Sequence, residues 1–218
     1  MNKVWPELNK TMQTQIKKKD TYKAGIDTLF DLRNQLMETL ISFNEKLNRE
    51  DFDAIPFINA DGYHSKTIAY SVWHIFRIED IVAHTLISES EQVFFSGNYQ
   101  ERINSPIITT GNELVKEQIA DFSKQLNMKE LYSYIIEVKD STEKIISSLS
   151  YDLLKKKVSE ERKEHLKLLN VVSNDENAIW LIDYWCGKDI RGLIQMPFSR
   201  HWIMHIEASL RIKNKIHS

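Results

Sequence analysis

The segment Pro197-Phe-Ser-Arg-His-Trp-Ile-Met-His-Ile-Glu207 predicts a helix that carries two histidines on an apolar face. Proline suits the first turn of a helix, and the helical pattern continues to about Lys215. His201 and His205 are four residues apart and therefore lie on the same side of this helix. Three apolar residues share that side: Phe198, Ala208 and Ile212. Both imidazoles are therefore expected to face the interior of a helical bundle.

The composition favours an all-α fold. Six glycines and four prolines in 218 residues, set against abundant Leu, Ile, Lys and Glu, are typical of long helices. Neither a GxGxxG motif nor a glycine-rich phosphate loop ending in Gly-Lys-Ser or Gly-Lys-Thr is present, which excludes the commonest nucleotide-binding sites. The 29 basic and 31 acidic residues nearly cancel, so no strong field attracts nucleic acid.

The single cysteine and the hydropathy pattern indicate where the protein resides. Cys186 has no second cysteine to pair with in the chain, which indicates a reducing compartment. No apolar stretch approaches membrane-spanning length, and the N-terminus has no apolar signal region. We therefore expect a soluble, cytoplasmic protein that binds neither nucleic acid nor a membrane.

Apolar periodicity predicts four long helices and shorter helical inserts in one bundle domain, residues 1–218, with residues 1–19 as an N-terminal extension. The four long helices are predicted over these stretches: about 20–48, from Ser65 or Thr67 past Ile87, from a capping box at Asn127 and Glu130 to Leu149, and from Pro197 to Lys215. The stretch from Phe94 to Gly111 is predicted to be a long connection with one short helix. The aromatic cluster of residues 180–187 is predicted to belong to the core.

A third metal ligand is needed, because two histidines rarely hold a metal ion well. His64, His74 and His84 are spaced by ten residues, and ten residues rotate a helical side chain by roughly 280°, so at most one of them faces a common site. His74 is the best candidate, since its side of the helix is mostly apolar. One metal ion would satisfy three buried neutral imidazoles together. The alternative is that each histidine is an ordinary core or surface residue with its own hydrogen bond.

Two segments resemble a known family. Ile68-Ala-Tyr-Ser-Val-Trp-His-Ile-Phe-Arg-Ile-Glu-Asp80 resembles the second helix of the DinB-like (DinB/YfiT) superfamily. Leu193-Ile-Gln-Met-Pro197, followed by His201 and His205, resembles that superfamily's fourth helix and the approach to it. The resemblance covers most of the chain from about residue 20, although residues 180–187 depart from the common pattern.

The resemblance implies a four-helix bundle with up-down-down-up topology and short additional helices, often as a homodimer. It also implies a divalent metal ion, commonly nickel, zinc or iron, bound by one histidine of the second helix and two of the fourth. In this sequence the matching residues are His74, His201 and His205. Three protein ligands leave a coordination position open for water or a thiol.

The superfamily includes transferases and isomerases that use low-molecular-weight thiols, and members to which hydrolysis is ascribed. We therefore expect a metal-dependent thiol S-transferase or hydrolase in stress or detoxification chemistry, acting on a small molecule that the sequence does not identify. The alternative is a non-catalytic, dimeric interaction protein with a vestigial or regulatory metal site. A sealed site or a fourth protein ligand would favour that alternative.

Three further residues have two interpretations each. Tyr70, one turn before His74, could reach a metal-bound group or could be structural. Arg77 could meet an anionic substrate or pair with Asp80 or another carboxylate. Cys186 is a weak candidate for a nucleophile, because no histidine lies at a recognisable spacing from it.

Overall fold

Helices form the framework of the computed structural model, which describes residues 3–218 and contains no β-strand within that range. The α-helices are α1 (Val4–Gln15), α2 (Tyr22–Lys46), α3 (Arg49–Asp53), α4 (Ile68–Asp80), α5 (Val93–Ser96), α6 (Tyr99–Ile103), α7 (Glu117–Gln125), α8 (Met128–Ser148), α9 (Glu160–Leu168), α10 (Trp180–Cys186), α11 (Ile190–Gln195) and α12 (His201–Ile216). Two π-helical segments adjoin the long helices: Ile81–Ser88 continues α4, and Met196–Arg200 leads into α12. The prediction of an all-α fold is confirmed.

The four long helices predicted from periodicity are present as α2, α4 with its π-helical continuation, α8, and α12. Helix α4 packs against α8 and α12, and α2 packs against the same two helices. All thirteen residues of α4 are buried, because α3 and α7 also cover it. The side of α4 that bears His74 can therefore be reached from bulk solvent only through a cavity next to it.

Side-chain caps set the starts of two of these helices. Thr67, not Ser65, caps α4, since its hydroxyl accepts a hydrogen bond of 3.0 Å from the backbone N–H of Tyr70. Asn127 caps α8 by accepting from the backbone N–H of Glu130. The Glu130 carboxylate accepts from Arg102 at 2.8 Å, so the predicted capping box supplies only its Asn127 half.

The N-terminal segment, which was expected to be an extension, forms helix α1 and packs along α2. Trp5 and Met12 of α1 are buried. Gly25 of α2 permits this close packing, because a Cβ atom there would lie only 2.5 Å from the Ile16 side chain. The segment is thus part of the apolar core.

The connection between residues 94 and 111 differs in detail from the prediction. It begins with two short helices, α5 and α6, where the sequence indicated one. The buried carboxylate of Asp80 accepts hydrogen bonds from the backbone N–H groups of Val93 and Phe94, which fixes the start of α5. Helix α7 was also not predicted.

Buried charges tie the long helices together. Arg33 of α2 forms a bidentate pair with Glu79 of α4, with N–O distances of 2.8 and 2.7 Å, and both side chains are fully buried. Trp202 of α12 donates to the same carboxylate at 2.8 Å. Glu143 of α8 accepts from Arg33 at 2.9 Å. Every one of the four long helices therefore contributes to one hydrogen-bonded cluster.

None of the helices within residues 3–218 combines the length and the apolar character that crossing a membrane requires.

Candidate metal centre

Three histidines from two helices meet in the interior. His74 comes from α4, and His201 and His205 come from α12. One ring nitrogen from each lies within 4.8 Å of those of the other two. The three side chains are 4%, 7% and 2% exposed, respectively. The structure brings together the three residues that the sequence indicated.

The two other histidines of the ten-residue series lie elsewhere. His84 pairs with Asp80, with its Nδ1 2.8 Å from the carboxylate, and its Nε2 is 2.8 Å from the hydroxyl of Ser141. His64 contacts Arg211 near the surface. Of the three histidines in this series, His74 alone belongs to the group that His201 and His205 form.

The loop at residues 110 and 111 fixes the orientation of His74. Nδ1 of His74 lies 2.6 Å from the carbonyl oxygen of Thr110, and because a carbonyl can only accept, Nδ1 carries the proton. The lone pair of Nε2 is therefore free to bind a metal ion. Tyr70 stacks on the imidazole with a centroid distance of 5.2 Å and donates its hydroxyl to Gly111 at 3.0 Å.

Gly111 is required at its position for two reasons. Its φ of +77° is unfavourable for other residues, and a Cβ atom there would lie 3.1 Å from the rings of both Tyr70 and Trp73. The loop can thus approach His74 only with glycine at this point. No pattern in the sequence indicates that this loop supports the site.

All three imidazoles are neutral at pH 7. Burial lowers the pKa of His74 to about 4, with the Thr110 carbonyl opposing that change and the charge of Lys66 adding to it. Burial, followed by the neighbouring histidines, lowers the pKa of His201 and His205 well below the usual value. Neutral imidazole is the form that binds a metal ion.

Two of the three imidazole rings have a buried nitrogen without a hydrogen-bond partner, and this bears on whether a cation fits the site. Nδ1 of His201 and Nδ1 of His205 are buried and have no hydrogen-bond partner in the part of the chain that the structure describes. Leaving such a group unpaired costs about 1–3 kcal/mol. A cation bound to the three rings would give their lone pairs a partner, and imidazole suits zinc, copper, iron and nickel. The residues present therefore fit a divalent metal ion, whose identity this donor set leaves open.

The histidines open onto a pocket of about 480 Å³. Its lining includes Tyr63, Lys66 and Asn112, together with four residues of α10. The larger groove of about 730 Å³, between residues 89–92 and α9, contains none of the three histidines. The pocket next to the histidines is the one that can hold a reactant, since it adjoins the metal-binding group.

Helix α10 is only partly core, which corrects the prediction for the aromatic cluster. Trp185 is 1% exposed, as predicted. Trp180 and Tyr184 are 49% and 36% exposed, and both line the pocket. A sequence shows that these aromatics lie at helical spacing, but only the tertiary structure shows which of them border a cavity.

Two of the three further candidates are structural. Arg77 donates to the Ile108 carbonyl at 2.9 Å, lies 3.6 Å from Asp80 and is fully buried, so its pairing interpretation holds. The hydroxyl of Tyr70 donates to the Gly111 carbonyl, and burial raises its pKa, so the contacts of Tyr70 favour its structural interpretation. Burial also raises the pKa of Cys186 to about 11, which makes it a poor nucleophile.

No family model matches this sequence, and no curated protein matches it either. What the fold and the site define is an all-helical protein with a buried three-histidine group that could hold a metal ion.

Proposed function

We propose that the protein is a metal-dependent enzyme of the DinB-like superfamily that acts on a small molecule bound in the pocket beside His74, His201 and His205. Thiol-dependent S-transfer or hydrolysis in stress or detoxification chemistry is the activity that this proposal names. The metal is nickel, zinc or iron, a low-molecular-weight thiol is the co-substrate of the transfer reaction, and the active form is a homodimer. Helices α2, α4, α8 and α12 are the four helices of the up-down-down-up bundle.

The observation that carries the proposal is the position of the three neutral imidazoles at the wall of an open pocket. A structural site is closed by a fourth protein ligand, whereas a catalytic site keeps a position for a reactant. Within residues 3–218 no Cys, Asp or Glu joins the three histidines as a fourth member of the group. This arrangement supports an enzyme more than the alternative of an interaction protein with a vestigial site.

Each group of residues at the site would have a separate role. The three histidines would hold the ion, and the Thr110 carbonyl keeps His74 in the tautomer that leaves Nε2 free to bind it. A divalent ion bound there would supply Lewis acidity, which lowers the pKa of a ligated water or thiol. The aromatic side chains of α10 make part of the pocket lining apolar, which would reduce the number of water molecules beside a bound reactant.

Metal analysis of protein purified without an affinity tag tests the proposal. The wild-type protein should retain close to one metal ion per chain, and replacing His74, His201 or His205 individually by alanine should sharply lower the metal content. His64→Ala is the matched control, because His64 lies outside the group. Near-stoichiometric metal in all three variants would rule out the site.

A screen of low-molecular-weight thiols with electrophilic acceptors, and of hydrolysable esters and amides, then tests the activity. Turnover should require metal and be lost in His74→Ala. Turnover by metal-free protein, or by that variant at the wild-type rate, would show that the histidines are not the catalytic centre.

A further inference from the structure

The pocket beside the histidines has an unusual charge distribution. Lys66 is the only residue with a formal charge among those described as lining it. The chain contains 31 acidic residues, yet none of them lies in the described lining. With neutral histidines, the wall of the pocket is cationic within a protein whose net charge is −2. Such a wall attracts anions.

Lys66 also differs from the other shielded cations of this protein. Arg33 pairs with Glu79, Arg77 pairs with Asp80, and Lys139 pairs with Glu143 at 2.9 Å. The half-buried ammonium of Lys66 has no carboxylate or hydrogen-bond partner among the described residues, and its one contact of note is the ring of Tyr70, 5.1 Å away.

The state of Lys66 has an energetic consequence. Burial lowers the pKa of Lys66, which reports the cost of removing water from its charge. A ligand anion would offset that cost.

A second polar group in the same pocket is also unpaired. Oδ1 of Asn112 is buried without a hydrogen-bond partner in the described structure, and Asn112 lines the pocket. Rotation of the amide by 180° exchanges Oδ1 and Nδ2, and the N–H groups of Nδ2 can then donate to an anionic group that Lys66 attracts. Two unpaired polar groups therefore face one cavity.

Much of the remaining lining is aromatic or aliphatic. Trp180 and Tyr184 lie 5.6 Å apart, centroid to centroid, and both contribute to the lining. The lining also contains the apolar residues Ile78, Leu181, Trp185, Met196 and Pro197. Aromatic side chains of this kind stack on planar groups, and about 480 Å³ suits a small organic molecule.

We propose that the pocket binds a small organic carboxylate with a planar apolar body, whose carboxylate is held by Lys66 and Asn112 and whose body lies against Trp180 and Tyr184. This inference rests on the proposed function, since it names the substrate class of the same pocket. Lys66 and Asn112 belong to the chain, so the preference for an anion is present with or without a metal ion.

Calorimetric titration with matched probes tests the inference. The probes are 1-naphthaleneacetate, phenylacetate and benzoate, each compared with its neutral amide, against both metal-free and zinc-loaded protein. Wild-type protein should bind the acids about 10- to 100-fold more tightly than the amides, as expected for one charge-assisted interaction. Lys66→Met should abolish this preference, and Lys66→Arg should retain it. Lys18→Met, at an exposed lysine outside the pocket, should behave as wild type.

The apolar wall is tested separately. Trp180→Ala should weaken the binding of 1-naphthaleneacetate and of its neutral amide by similar factors, because the substitution removes stacking and leaves the charge of Lys66 in place. Circular dichroism should show that each variant keeps the wild-type helical signal.

Several outcomes would overturn the inference. Equal affinity for acids and amides, no binding of any acid at millimolar concentration, or an unchanged preference in Lys66→Met would each do so. A preference seen only with zinc and independent of Lys66 would place the carboxylate on the metal and also overturn it. A preference that depends on Lys66 in a protein that binds no metal would support this inference while refuting the proposed function.

Discussion

Glu79→Gln should be one of the most destabilising conservative substitutions in this protein. The carboxylate of Glu79 accepts three hydrogen bonds at 2.7 to 2.8 Å, two from Arg33 and one from Trp202. Glutamine keeps the volume and an acceptor for Trp202 but removes the charge that faces the buried guanidinium. Breaking one side of a buried ion pair costs about 3–5 kcal/mol.

The size of the effect is set by what remains around Arg33. Glu143 still pairs with its Nε at 2.9 Å, and the Phe198 carbonyl still accepts at 3.1 Å. The loss should therefore fall near the lower limit, about 3 kcal/mol of unfolding free energy, or roughly 6–12 °C in melting temperature for a domain of this length. Urea unfolding of metal-free protein, followed by circular dichroism, measures it directly.

Two further variants separate charge from packing. The double variant Arg33→Met with Glu79→Met removes both charges and should be closer to wild type than Glu79→Gln, because no buried ion is left unpaired. Glu38→Gln, at an exposed position of α2, is the control and should change stability by less than about 0.5 kcal/mol. A loss of less than about 1 kcal/mol in Glu79→Gln, close to the range of an ordinary surface substitution, would contradict this role of the ion pair. A double variant less stable than Glu79→Gln would contradict it as well.

Three other predictions concern the site and its surroundings. Gly111→Ala should weaken metal binding about 10- to 100-fold in a calorimetric titration, because the loop that orients His74 must move; unchanged affinity would contradict that role for the loop. Chelation should lower the melting temperature but leave the far-ultraviolet helical signal at room temperature, since metal at 100 times its Kd adds only about 2.7 kcal/mol of stability. The melting temperature of His201→Ala should not change on chelation. Complete unfolding of the wild-type protein on chelation would mark the metal as structural. Burial lowers the pKa of His84, but the hydrogen bond to Asp80 and the charge of Asp80 raise it by more, so the pKa of His84 is raised overall. The stability that His84 contributes relative to His84→Gln should be full below pH ~6.5 and decline as pH rises through its folded pKa; a difference that grows with pH in urea titrations would reverse the assigned direction.

The long helices and the metal-binding group could be predicted because both depend on local spacing. The four-residue interval fixes the relative direction of His201 and His205 whatever surrounds them. The apolar side around His74 indicates the interior for the same reason.

The rest of the site depends on contacts between distant parts of the chain. Lys66 immediately precedes the cap of α4 and has no local feature that marks it as a pocket residue. Its importance arises because α10, more than a hundred residues later in the sequence, lines the same pocket while its one carboxylate, Asp183, pairs with Lys163 outside the lining. The Thr110–Gly111 loop likewise acquires its role only when it meets α4.

Burial of charged residues was also not predictable from the helical pattern. Glu79 and Asp80 rotate away from His74, as the helical wheel requires, yet both are fully buried. A single helix shows which residues share a side, but the number of neighbours that surround the helix decides whether the other sides meet water.

Trp202 has a consequence for how ions can enter and leave. Neighbouring positions of a helix point about 100° apart, so the bond from Trp202 to Glu79 determines the rotation of α12 about its own axis and hence the directions of His201 and His205. A rotation of α12 that moved its imidazoles out of the site would break the hydrogen bond from the Trp202 indole to Glu79, a buried carboxylate that is also paired with Arg33. Exchange of a bound ion should therefore proceed through motion of the side chains that line the pocket while the helix axis stays still, and its rate should depend on how far Trp180 and Tyr184 of that lining restrict passage.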